Sequence, residues 1–243
     1  MKTFRDCKRK HWLQKVAKIE TDRVSAGAER GKKLHGLVEE YLKTKPSFPN
    51  ETILDFYQPL SDIDPDLYKG LKSANLNPNL VSMRELHHNP NEDYSILIEQ
   101  EFDFNGLIIG FMDVVVLDRR SGELEVSIHD HKFTSSKNYI PTEDNAKVDP
   151  QTIFYANTLI KYFSLNSITF NYDYYGTKTI WEKNLNLSLT KEEICLLWNQ
   201  VSFELEKVIN NYSIQNGSNT TPNFMSCSKY GGCEFKSVCF KNN

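Results

Sequence analysis

The stretch EQEFDFNGLIIGFMDVVVLDRRSGELEVSIHDHK, Glu99 to Lys132, decides the fold. It reads as three short strands, about Ser95 to Phe104, Leu107 to Asp118 and Leu124 to Phe133. Asn105-Gly106 is a two-residue hairpin signal, and Arg119 to Gly122 supplies a second turn. Val114 to Leu117 is continuously apolar, as expected of a strand covered on both faces. Glu99, Glu101, Asp103, Asp113 and Asp130 place carboxylates on or beside these strands. Lys132 follows Asp130 by two residues, so an extended chain puts both side chains on one face. Carboxylates crowded on neighbouring strands repel one another, and a divalent cation between them relieves the cost.

Outward from this stretch, Ala28 to Lys43 carries apolar residues at helical spacing (Leu34, Leu37, Val38, Tyr41, Leu42), with Gly31 and His35 four apart on one edge. Phe4 to Val16 reads as an earlier helix. Thr44 to Tyr94, rich in Pro, Asn and Asp, reads as a loop-rich insertion (about 44–94) with one or two short helices, Leu67 to Ala74 and Val81 to His87. After Lys132, Pro150 opens a helix through Phe163 on which Gln151 and Tyr155 project together. A strand pair follows, Ser167 to Tyr175 and Thr179 to Leu187, and then a long helix, Leu187 to Asn210, with Thr190 as a cap and Cys195 as a small core residue. This order of elements predicts an α/β fold with a central mixed sheet flanked by helices.

The chain has 243 residues, 39% hydrophobic and 25% charged, with net charge −3. Length alone does not choose between one domain and two; the element order favours a single domain, 1–243, with its core at about 28–210. No apolar run has membrane-span length and the basic start lacks a signal-peptide core, so a cytosolic protein is expected. A weakly acidic chain can still bind nucleic acid through a local patch, and Lys2, Arg5, Lys8, Arg9, Lys10, Lys15 and Lys18 offer one, though taken alone they are better explained as a solvated helix face. Tyr172 and Tyr174 on one strand face and Tyr175 on the other are candidates for base stacking or for core packing. The histidines His87 and His88 read as loop residues.

Taken in order, GKKLH, the E-x-F before the hairpin, GFMD, DHK and QTIFY resemble the PD-(D/E)xK nuclease superfamily, specifically its RecB-like branch of CRISPR-associated and phage exonucleases. Each piece is common alone; the order and the secondary structure beneath each carry the likeness. The resemblance implies a restriction-endonuclease-like core that hydrolyses DNA with Mg²⁺ or Mn²⁺. It makes His35, Asp113, Asp130 and the backbone carbonyl of His131 the metal ligands. It makes Lys132 the residue that positions water or stabilises transition-state charge, and Glu101 the upstream acid with Glu99 as the alternative. Gln151 and Tyr155 then contact the phosphate or brace the lysine.

Five cysteines, Cys7, Cys195, Cys227, Cys233 and Cys239, in a chain without an export signal suggest metal or redox chemistry before disulfides. In several RecB-like nucleases one early cysteine joins three near the C-terminus around a four-iron, four-sulfur (4Fe-4S) cluster. The resemblance assigns Cys7, Cys227, Cys233 and Cys239 to that role, a cysteine-clamped tail (about 222–243) packing with the N-terminal helix. The first two tail cysteines are further apart here than is common in the family. Structural Zn²⁺ and unligated thiols are the other readings. The expected activity is a metal-dependent DNA exonuclease acting on ends or single strands in recombination, repair or replication, with a phage-encoded enzyme acting in the host cytoplasm as one form of it. A structure-specific endonuclease and a non-catalytic DNA-binding or assembly module stand as alternatives, with protein partners of a recombination or replication complex under any of the three.

Overall fold

The computed structural model describes residues 7–19, 26–104, 108–214, 219–220, 222–223, 225, 233–235 and 239. Asn105-Gly106, Lys2, Arg5 and Cys227 lie outside them. The chain forms two compact units, residues 26–195 and residues 1–25 with 196–243.

In the smaller unit, α1 (Lys8–His11) runs into a five-residue π-turn, Trp12–Val16. Cys7 caps α1, its Sγ accepting from the Lys10 amide. The indole of Trp12 donates to the Ile214 carbonyl at 2.7 Å, and Lys10 pairs with Glu234 at 3.1 Å. Arg9, part of the basic run, is buried and donates to the Thr220 carbonyl, so that side chain does not belong to a solvated basic face.

The larger unit opens with α2 (Ala26–Lys43), whose buried Leu34, Val38, Tyr41 and Leu42 follow the helical period. The segment expected to be loop-rich holds four helices, α3 (Ile53–Phe56), α4 (Leu60–Ile63), α5 (Pro65–Ala74) and α6 (Asn79–His88), of which the last two are the expected pair. The residues that suggested loops are helix starts. Thr52 and Asp55 make a capping box, and Asp64 caps α5 with Pro65 at its first position. His87 lies on α6, its Nδ1 at 3.1 Å from the Ile96 carbonyl.

A five-stranded sheet in the order β1-β2-β3-β4-β5 follows: β1 (Tyr94–Phe104), β2 (Ile108–Asp118), β3 (Glu125–Thr134), β4 (Ser167–Gly176) and β5 (Glu182–Thr190). All neighbours are antiparallel except β3 and β4, which are parallel. That parallel pair requires a crossover, provided by α7 (Glu143–Lys147) and α8 (Pro150–Phe163). A last helix, α9 (Lys191–Tyr212), begins on a reciprocal Thr190–Glu193 cap. Cys195, expected in the core, is exposed on it.

One sheet face carries an apolar layer in which Leu34, Val38, Tyr41, Leu71, Leu80 and Met83 meet Ile96, Val114, Val116 and Tyr175. On the other, α8 lays Tyr155 over Phe170 and joins Thr152 Oγ1 to Tyr172 OH at 2.7 Å. Residues 172 and 175 therefore serve opposite layers, as the alternation of a strand demands. Tyr172, Tyr174 and Tyr175 are all buried, so these rings pack the fold and offer no stacking surface for bases.

Candidate active site

The site lies where sheet pairing stops. Between β2 and β3 the ladder ends at Val114 opposite His129. Beyond it, the freed amide of His131 donates to Oδ2 of Asp113 at 2.7 Å, the side chain satisfying a donor that a strand would otherwise satisfy. Between β1 and β2, paired residues run Ile98 to Val114 and then Gln100 to Met112, with no pair at Glu99. Glu99 has φ of 52°, in the left-handed region that costs a side-chain-bearing residue about 1–2 kcal/mol. Backbone strain of this kind persists where surrounding structure enforces it, and it clusters at functional sites.

Into this gap α2 delivers His35, whose Nε2 is 2.8 Å from Oδ2 of Asp113. His35, Glu99 and Asp113 can each offer a ligand atom such that all lie within 4.8 Å of one another. Glu101, the acid favoured by sequence, pairs with Phe111 instead and is exposed. The register brings both acids to the Asp113 face and sets Glu99, not Glu101, directly across from it. A two-residue hairpin would set Glu99 and Glu101 on the face opposite Asp113. The observed pairing of Phe104 with Ile108 shifts β1 by one residue, which puts Glu99 across from Asp113.

Asp130 and Lys132 stand beside this trio on β3. Gln151 of α8 bridges them: its Nε2 donates to Oδ1 of Asp130 at 2.6 Å, and its Oε1 accepts from Nζ of Lys132 at 3.2 Å. Nζ of Lys132 also forms an ion pair with Oδ2 of Asp130 at 2.5 Å, its closest partner in the buried site. Gln151 further donates to the hydroxyl of Tyr155 at 3.3 Å, which donates to the Phe111 carbonyl at 2.6 Å and so ties α8 to β2. Gly110 makes room for this: a Cβ there would lie 2.3 Å from the ring of Phe102, which packs edge-on against Tyr155.

The electrostatics divide the carboxylates. Burial pushes Asp130 up to about 7, even with Lys132 beside it. Burial works on Asp113 in the same direction, but the His35 hydrogen bond and nearby positive charge outweigh it and hold Asp113 below the usual carboxylate range. The bond to Asp113 raises His35 against the opposing effect of burial. Burial and the charge of Asp113 raise Glu99. Burial would lower Lys132, but Asp130 outweighs it and keeps the amine a cation.

The donors suit a hard divalent cation: the carboxylates of Glu99 and Asp113 and one imidazole, with the buried Asp130 carboxylate beside them. A mixed sheet carrying this acid cluster, with a lysine two residues beyond one of its acids, defines the class as a metal-dependent nuclease. The chain belongs to the PD-(D/E)XK nuclease superfamily, whose family model matches residues 1–240. No curated protein matches the chain. Solved structures that match include one described as the crystal structure of SSO0001, 19% identical over 86% of this chain and 95% of that one, with a TM-score of 0.30. That overlap is too loose to bear on the site. Among the described residues no helix is long and apolar enough to cross a membrane.

Proposed function

We propose that the protein is a metal-dependent DNA exonuclease that hydrolyses phosphodiester bonds at ends or in single strands during recombination, repair or replication. The observation that carries the catalytic reading is the packing of His35, Glu99 and Asp113 beside the Asp130–Gln151–Lys132 bridge, at the point where two strand ladders open. The residues that would hold the cation are His35, Asp113, Asp130 and the carbonyl of His131, with Glu99 in place of Glu101 as the further acid. Bound Mg²⁺ or Mn²⁺ supplies a water of lowered pKa and neutralises phosphate charge. The imidazole favours Mn²⁺.

The chain's own groups do the rest. Lys132, kept cationic by Asp130 and held by Gln151, directs its charge at the attacking water or at the oxygens that gain charge in the transition state. Gln151 keeps Asp130 and Lys132 in register, and Tyr155 holds the helix bearing Gln151 against β2. The end-directed reading rests on the resemblance to RecB-like exonucleases. It is tested by offering labelled linear and circular DNA, single- and double-stranded, with Mn²⁺ and an Asp130→Ala control. Products from linear DNA alone support the exonuclease, cleavage of circles replaces it with the endonuclease, and no metal-dependent cleavage leaves the DNA-binding module.

The cysteine reading concerns the smaller unit. Cys7 is buried, and its Sγ accepts amide N–H groups from Lys10 at 3.4 Å and Asn223 at 3.3 Å. Hydrogen bonds of this kind tune cluster-ligating sulfurs, which supports a 4Fe-4S cluster on Cys7, Cys227, Cys233 and Cys239, with Zn²⁺ as the second reading. Anaerobic purification followed by iron and acid-labile sulfide assays separates the two; zinc without iron overturns the cluster.

A further inference from the structure

The strand that carries Asp130 and Lys132 is polar on both faces. His129 and His131 alternate with them and point to the opposite side, where Asp173 of β4 pairs in parallel register with His131. Asp173 Oδ2 is 3.0 Å from Nδ1 of His129 and 3.6 Å from Nδ1 of His131. Its Oδ1 accepts from Asn184 Nδ2 of β5 at 2.7 Å. The hydroxyl of Tyr175 lies 3.2 Å from Nδ1 of His131 and accepts from Asn77 of the loop between α5 and α6 at 2.8 Å. Asn171 reaches Nε2 of His129 at 3.4 Å and is itself held by Asn186 at 2.8 Å.

Such a network is a poor choice for stability alone. Asp173 is 1% exposed and His131 3%, and Nε2 of His131 has no hydrogen-bond partner among the described residues. Buried ionic groups are often matched or bettered in stability by apolar side chains of similar volume. What the network holds is the peptide at the centre of the site: the ring of His131 is gripped from behind while its main-chain N–H binds Asp113 in front.

We propose that Asp173 is a positioning residue of the active site, acting through His129 and His131 to fix the 130–132 segment against Asp113. The proposal rests on the nuclease reading above. Partners that orient metal ligands from outside the ligand set are worth about 10- to 100-fold in metal affinity or activity, and a network of this size on the ligand-bearing strand belongs among them.

The test measures Mn²⁺ affinity by electron paramagnetic resonance, steady-state DNA cleavage and thermal unfolding for wild type, Asp173→Asn and Asn184→Ala. Asp173→Asn keeps the shape and removes the charge. Asn184, exposed on β5, removes one donor while leaving Asp173 in place. Asp173→Asn is expected to weaken Mn²⁺ binding and lower kcat by about 10- to 100-fold with KM for DNA unchanged, and Asn184→Ala to shift both less in the same direction. Variants that lose only melting temperature, with wild-type Mn²⁺ affinity and kcat in the folded protein, overturn the proposal. Should Asp173→Asn fail to fold, wild-type behaviour of Asn184→Ala overturns it. A wild type that neither binds Mn²⁺ nor cuts DNA sinks the nuclease reading and this proposal together; a wild type that does both beside unaffected variants sinks this proposal alone.

Discussion

The apolar layer under α2 and the polar gap around Asp113 are built from the same elements and differ in how completely their groups are satisfied. Leu34 and Val114 are fully buried in the layer. One residue along each element, His35 and Asp113 meet in a gap beside a left-handed glutamate and the buried Asp130 carboxylate. The layer is where burial outweighs conformational entropy. The gap is where carboxylates crowd around one imidazole and one ammonium, a donor set a cation can use. One helix and one strand thus carry stability on one side chain and chemistry on the next, which keeps the ligands on rigid elements.

If the two regions are separable, mutations should split them. Lys132→Ala is expected to lower the cleavage rate by about 10²–10³-fold while Mn²⁺ affinity, measured by calorimetry, stays near wild type. Asp113→Ala should abolish both, because it removes the partner of His35 and of the His131 amide. In the layer, Leu34→Ala should cost about 2–5 kcal/mol in urea unfolding and leave Mn²⁺ affinity in the folded protein unchanged. A loss of metal binding there would mean the layer and the gap are one unit.

Titration sharpens the comparison from the gap's side. His35 is raised above its ordinary 6.5 and Asp130 lies at about 7, so both hold protons below neutrality that a metal must displace. Mn²⁺ affinity should therefore climb as pH rises through the neutral range, by about tenfold per pH unit for each proton displaced, and level off above both values. A pH-independent isotherm between pH 6 and 8 would contradict that assignment. The smallest and most discriminating effect concerns β1. Glu99→Gly should relieve about 1 kcal/mol of left-handed strain yet weaken Mn²⁺ binding, a gain in melting temperature bought with function. Glu101→Ala, at an exposed position, should alter neither.

Much of this site was legible in the strand 125–134. The alternation of Asp130 with Lys132, the Gln151–Tyr155 spacing on a helix and the apolar run at 114–117 all follow from local periodicity, and local periodicity survives folding. In residues 44–94 the two longer helices follow the apolar spacing, while the four-residue helices Ile53–Phe56 and Leu60–Ile63 hide among Asn, Asp, Thr and Pro, which begin helices as readily as they form turns. Polar Asn171 and Asp173 inside the apolar run of β4 were the overlooked signal for the buried network.

What the sequence determined by itself was the kind of chemistry: hard acids, one helical histidine and a lysine two residues from an aspartate, in the order of a nuclease family. What only the tertiary structure decided was which acids meet. That depends on strand register, where a shift of one residue moves every side chain to the other face, and on a ladder that opens at Asp113. Pairings across strands are non-local, so no window of sequence contains them.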